Sequence, residues 1–264
     1  MSFTRRAFLS GTAAAISAHA ISRAYGELDM AEDGVLELRQ YTLYGGKRDT
    51  LISIFEKNFI EPQNALGAHV LGTFRDLDDP DRFVWLRGFR DMPARQLALE
   101  AFYGGPVWKA YKSEANATML DSDNVLLLRP TSPGQGFSDH ASTDATSGIY
   151  TATIYYLDGV DAAQFAGFFN HAVLPLLTAA DVHPIGRLVT EESPNNFPRL
   201  PIREHDRTFV WLARWANPND YDAFIAHFRT LSGWRDAATE SVLPALMRKP
   251  ERLRLIPTAS SQMR

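Results

Sequence analysis

The sequence contains no cysteine. This excludes disulfides, thiolate-bound metals, iron–sulfur clusters and a cysteine nucleophile. It has no surplus of one sign of charge either, since 27 Lys and Arg against 31 Asp and Glu give a formal net charge of −4. A nucleic-acid footprint needs clustered cations, so nucleic acid is not an expected partner. Long hydrophobic runs are also missing. The mildly apolar stretch from Ala7 to Ala20 is too short and too rich in small residues for a permanent membrane span. With 45% hydrophobic and 22% charged side chains over 264 residues, the chain has enough apolar material for one large core or two small ones, which sets disorder aside.

The first residues carry an address. Thr4-Arg5-Arg6-Ala7-Phe8-Leu9-Ser10 resembles a twin-arginine export signal, with the alanine-rich stretch behind it. Small-x-small sites allow cleavage after Ala20 or after Ala24, and the sequence does not choose between them. Losing residues 1–24 removes three arginines and no acidic residue, taking the net charge from −4 to −7. The expected partner is the twin-arginine export machinery, and the expected location is the periplasm or another extracytoplasmic space.

The word "FVWL" occurs at Phe83 to Leu86 and again at Phe209 to Leu212. It belongs to a longer repeat. Trp85/Trp211, Phe102/Phe228 and Trp108/Trp234 share an offset of 126 residues, while Gly34/Gly148, Tyr41/Tyr155, Gly45/Gly159, Phe55/Phe169 and His69/His183 share an offset of 114. The second copy therefore carries 12 extra residues around "EESPNNFPRLPIREHD", which read as a long hairpin loop. Alternation predicts strands over 35–43, 68–74, 82–89 and 124–129, and over 149–157, 182–189, 208–215 and 252–256. Helical spacing of Leu51, Ile54, Phe55 and Phe59, and of Phe165, Phe169, Val173 and Leu176, predicts the intervening helices, with Asp161 as a cap. A second helix in each copy starts at Pro93 or at Asn217-Pro218 and breaks near Gly104-Gly105 or Gly233.

The order βαββαβ, twice, is that of the ferredoxin-like unit. Helices cover one face of such a sheet, so the other must be buried against a partner. The expected fold is α+β: two tandem ferredoxin-like units at 33–130 and 147–257, packed sheet to sheet as a dimeric α/β barrel. Polar residues 131–146 form the linker, and 258–264 a tail.

"LELRQYTLYGGKRDTLISIF" followed by "LGTFRDLDDPDRFVWLRGFRDMPARQLALEAFYGGPVWKAY" resembles a NIPSNAP domain over Val35 to about Arg129. The second copy departs from that pattern, with Thr151 and Thr153 where the first has Glu37 and Arg39. The resemblance implies the dimeric α/β-barrel superfamily, whose members include cofactor-free oxygenases, isomerase-like proteins and heme enzymes, but it implies no single reaction. The heme enzymes take an axial histidine from the last long helix of the second unit, which makes His227 the heme candidate here.

By strand alternation, Leu36, Leu38, Val84 and Leu86 are expected beneath the helices, and Glu37, Arg39, Tyr41, Trp85 and Arg87 inside the barrel. Two inward arginines with one glutamate leave a positive charge unpaired. A bound carboxylate or enolate with an aromatic body against Trp85 would complete the site, and the competing expectation is an Arg–Glu network tying strands together. His69 and His183 are expected either to face one another across the barrel as acid/base or ligating groups, or to be structural. His171 is expected to be solvated. "YGGKRD" fails as a phosphate loop because no Gly stands five positions before Gly46 and Arg48 follows the lysine. Glu204-His205-Asp206 point in different directions, so no metal site and no resident cofactor is expected. The functional expectation is an exported binder of a small apolar or aromatic anion, with or without cofactor-independent catalysis. The alternatives are a scaffold that docks another protein through the inserted loop, and a heme barrel. A homo-oligomer is compatible with each.

Overall fold

The computed structural model describes residues 33–132 and 148–263. The export signal and residues 133–146 of the expected linker lie outside the described residues. Strands β1 (Val35–Leu43), β2 (His69–Asp76), β3 (Arg82–Phe89), β4 (Met119–Asp121) and β5 (Val125–Pro130) make the first half. Helices α1 (Arg48–Asn58), α2 (Ile60–Asn64), α3 (Met92–Gly104) and α4 (Pro106–Asn116) accompany them. The second half has β6 (Ile149–Tyr156), α5 (Ala162–Phe168), α6 (Leu174–Ala179), β7 (Gly186–Thr190), β8 (Thr208–Trp215), α7 (Pro218–Phe228), α8 (Ser232–Ala237) and β9 (Glu251–Pro257). Asp91, Asp161 and Asn217 cap α3, α5 and α7 by accepting from backbone N–H groups in the first turn. The break between α3 and α4 falls at Gly105, as the glycine pair predicts. The short strand β4 was not expected.

Eight of the strands close into one antiparallel barrel, in the order β3-β2-β9-β6-β8-β7-β5-β1 and back to β3, with β4 alongside the end of β1. The halves are joined edge to edge, β2 to β9 and β5 to β7. The expected barrel is thus closed by hydrogen-bonded seams between the two sheets, which leave no open edge in the ring. The expected tail is part of the fold. Beyond β9 the chain runs along β2, with the Thr258 N–H donating to the Thr73 carbonyl (2.9 Å) and the Met263 N–H to that of Leu71 (3.1 Å).

The barrel interior is filled. Leu36, Leu38, Phe74, Val84, Leu86 and Leu128 meet Tyr150, Ala152, Ile154, Val210, Leu212 and Leu253 in one cluster drawn from both halves. The alternate residues of each strand face that half's own helices and form two further clusters. The inside-and-outside assignment from the sequence is thus inverted: Glu37, Arg39, Tyr41, Trp85 and Arg87 lie between the first-half sheet and its helices, and Leu36 and Leu38 line the barrel. The physical reason is space and polarity. An eight-stranded barrel has room for little beyond its own side chains, and a mainly apolar centre offers guanidinium groups few acceptors, whereas the helix layer supplies Gln63 and Tyr41.

Candidate functional site

Residues of β1 and β3 that point toward the helices meet in pairs, Glu37 opposite Arg87, Arg39 opposite Trp85 and Tyr41 opposite Phe83. Glu37 is wholly buried and is the hub. Its Oε2 accepts from Arg39 Nη1 (2.7 Å) and Arg87 Nε (2.8 Å), and its Oε1 accepts from Arg95 Nε (2.7 Å) on α3. Arg87 Nη2 comes within 2.7 Å of Oε2 as well, but in poor alignment, and makes no hydrogen bond among the described residues. Three guanidinium groups, each at most 1% exposed, therefore surround one carboxylate. The cluster carries two more positive charges than negative.

Its electrostatics follow. Burial alone would raise the Glu37 pKa, but Arg87, Arg39 and Arg95 outweigh it and hold the carboxyl well below its ordinary range. Burial pulls Arg95 below its ordinary value, with Glu37 partly compensating and Arg87 and Arg39 adding to the fall. Burial pushes the Tyr41 phenol upward, against the pull of Arg39, so it stays protonated at neutral pH.

Two of the arginines reach outward through neutral side chains. Arg39 Nε donates to Tyr41 Oη (2.9 Å), and Arg87 Nη1 donates to Gln63 Oε1 (2.7 Å). The guanidinium of Arg87 also lies 4.9 Å from the Trp85 ring centre and that of Arg39 5.5 Å from it, within cation–π range. Tyr41, Gln63 and Trp85, together with Phe55, Phe59, Tyr103 and Trp108, line a cavity of about 30 Å³ beneath α1, α3 and α4. Within it the acceptor sides of Tyr41 and Gln63 are already engaged by arginine. The indole N–H of Trp85 has no partner among the described residues. At this end of the cavity Tyr41 and Trp85 offer an O–H and an N–H donor, and Tyr103 adds a hydroxyl that can donate or accept.

The inserted loop completes the arrangement. Arg95 Nη1 donates to Asn196 Oδ1 (2.6 Å) and to Asn195 Oδ1 (3.1 Å), and Asn196 Nδ2 donates to the Met92 carbonyl (2.6 Å). Phe197 packs on Tyr103, their ring centres 5.8 Å apart, and Leu200 and Ile202 join the same cluster. The loop belongs to the second half and covers the first.

The structure thus brings together five of the seven residues expected to form a site. The two histidines stand apart from them. His69 pairs with Asp33 (3.0 Å) at the end of β2, in register with Gly88, where an added Cβ would lie 2.0 Å from Asp33. His183 is exposed beside Asp181 (3.3 Å). They have separate aspartate partners and do not form a facing pair. His171 and His227 are exposed, and Glu204-His205-Asp206 form no metal-binding group among the described residues. Arg95, Gln63, Asn195 and Asn196 were not foreseen. Arg95 had a signal, because it lies on the same helical face as Ala98, Leu99 and Phe102 and so had to be buried.

The geometry can be set beside known proteins. No curated protein matches the sequence. Among solved structures, a proposed monooxygenase from Lactobacillus acidophilus NCFM superposes with a TM-score of 0.53 at 15% identity, over 88% of this chain and 97% of its own. A proposed monooxygenase from Fusobacterium nucleatum gives 0.56 at 10% identity, over 85% and 92%. An anthrone oxidase-like protein gives 0.52 at 12% identity, over 87% and 93%. At these identities the likeness establishes the α+β barrel fold and nothing finer. The family model named NIPSNAP matches residues 36–133, the segment that holds Glu37, Arg39, Tyr41, Gln63, Trp85, Arg87 and Arg95. Over that segment, which forms most of the first half of the barrel, the chain is similar to the NIPSNAP family.

Proposed function

We propose that this protein binds a small aromatic molecule with an anionic or strongly hydrogen-bond-accepting oxygen, in the first-half cavity between sheet and helices. The carrying observation is an aromatic cavity with outward-facing donors, backed by a buried surplus of two positive charges. The second half shows that the backbone does not need those charges. There, Thr151, Thr153 and Ala213 hold the places of Glu37, Arg39 and Arg87 in the same strand register, and Trp215 Nε1 simply donates to Thr151 Oγ1 (2.9 Å). A network needed only to tie two strands together would be needed twice.

The cavity as it stands has room for about one water. Ring entry requires α4 to swing outward at Gly104 and Gly105, which is feasible for a helix that fully buries only Ala115. We further read the chain as two tandem ferredoxin-like units, supported by the matching strand orders β5-β1-β3-β2 and β9-β6-β8-β7 and by the constant sequence offsets. The protein acts outside the cytoplasm, a reading that rests on Arg5 and Arg6 and the alanine-rich stretch behind them.

Thermal unfolding with benzoate, salicylate and 4-nitrophenol tests the binding. A ligand at 100 times its Kd adds about 2.7 kcal/mol. Ala115→Leu, which fills the cavity from α4, should abolish that gain. Absence of stabilisation by all three compounds, or an undiminished response in Ala115→Leu, would reject the site.

A further inference from the structure

We infer that Tyr41 and Trp85 form a donor pair for a single ligand oxygen and that the site binds that oxygen ionised, so that a phenol or enol entering the cavity loses its proton there. The inference rests on the proposed binding site and specifies its chemistry. A tyrosine hydroxyl has one proton to donate. Because Tyr41 Oη accepts from Arg39 Nε at 2.9 Å, its own proton must be directed elsewhere. Tyr41 is buried to 7% exposure and lines the cavity. Trp85, 1% exposed, lines the same cavity, and its indole nitrogen is a donor only.

The charge behind the pair sets which form of the ligand binds. Arg39 polarises Tyr41 directly, and the guanidinium groups of Arg39 and Arg87 flank the Trp85 ring. Glu37, the counter-charge to three arginines, is fully engaged by them and faces no ligand. Donors aimed at an oxygen within a low-dielectric wall favour its anion over its neutral form. The ionisation is simple: the O–H bond of the ligand breaks, its electron pair stays on oxygen, and the proton leaves to buffer. Glu37 is no base for it, since its carboxyl is held far below the range at which it would take a proton.

The probe is 4-nitrophenol, whose phenolate absorbs at longer wavelength than the phenol. It is titrated with wild-type protein in a buffer acidic enough to keep the free probe mainly neutral. The expected result is growth of the phenolate band on binding, equivalent to a fall of at least one unit in the probe's apparent pKa. Tyr41→Phe removes only the hydroxyl, and Trp85→Phe removes the N–H with part of the ring; each should weaken binding of the phenolate about tenfold or more, as expected for loss of one hydrogen bond to a charged group. Stabilisation of the fold by 4-nitrophenol without a phenolate band overturns this inference while leaving the binding site standing. An unchanged band in both variants also overturns it. Failure of the probe to bind, together with failure of benzoate and salicylate, removes the site and this inference with it.

Discussion

Replacing Glu37 by Gln tests the buried cluster most directly. The substitution preserves shape and removes the one negative charge, so the excess buried positive charge rises from two to three. In the native protein the carboxylate accepts hydrogen bonds from Arg39, Arg87 and Arg95, at 2.7, 2.8 and 2.7 Å. A carboxamide keeps one acceptor oxygen and turns an N–H₂ group toward guanidinium N–H groups that need acceptors. Removing one partner of a buried ion pair costs about 3–5 kcal/mol. In a domain of this size each kcal/mol lowers Tm by about 2–4 °C, so the variant should melt roughly 6–20 °C below wild type. Urea denaturation should show a lower midpoint at unchanged m. The loss should persist at 1 M salt, because pairs this deeply buried are poorly screened. A loss below about 1 kcal/mol, or one erased by salt, would mean that Glu37 is not the hub described.

Further outcomes follow from the same geometry. Because the Glu37 pKa is depressed in the folded state, its contribution is fully present above its ordinary value of 4.5 and is lost as pH falls. Wild-type stability should therefore decline below about pH 4.5 by up to about 1.4 kcal/mol per pH unit more steeply than that of Glu37→Gln, and parallel acid limbs would contradict this. Asn196→Ala removes an acceptor from Arg95 and a donor to the Met92 carbonyl, and should cost about 1–3 kcal/mol in chemical denaturation, with a null effect arguing against loop closure over α3. Gln40, 2% exposed with neither amide atom partnered among the described residues, should be replaceable by Leu with a gain of about 1–2 kcal/mol, and a loss would point to an undetected polar partner. Lysine at both Arg5 and Arg6 should leave unprocessed protein in the cytoplasm by fractionation and immunoblot, and normal processing would exclude the twin-arginine route.

The elements were legible in the sequence because their signals are local. Alternation marks β1 and β6, Pro93 and the caps Asp161 and Asn217 mark helix starts, and Gly104-Gly105-Pro106 marks the break between α3 and α4. The direction in which each strand faces was not legible. In a closed barrel with helices outside, both faces of nearly every strand are buried, so alternation separates Leu36 and Leu38 from Glu37 and Arg39 without saying which pair lies inside. A polarity argument chooses correctly only once it is recognised that the barrel centre is mainly apolar and the helix layer holds the carboxamide and hydroxyl acceptors that the arginines use. Arg39, Arg87, Tyr41 and Trp85 were expected to converge, and the adjacent strands β1 and β3 bring them together. Arg95 was discoverable from helix periodicity. Asn195 and Asn196 were not, since only the tertiary fold carries residues about 100 positions downstream of Arg95 onto it.

The inserted loop explains why two similar halves are not interchangeable. The first half holds a buried charge cluster that its own strands and helices leave incomplete at Arg95, and the second half lacks the cluster while supplying the missing acceptors. Phe197, Leu200 and Ile202 anchor the loop in the aromatic core of the first half, so the acceptors arrive on a fixed support. The two seams, β2 to β9 and β5 to β7, hold that support in register. Burying a third arginine beside Arg39 and Arg87 is costly by itself, and a dangling loop would not repay it. With both halves in one chain the cover over Arg95 comes with the fold, and on the proposed binding α4 is the element that opens. Thr151, Thr153 and Ala213 stand where the first half keeps Glu37, Arg39 and Arg87, so one half bears the charge cluster and the other covers it.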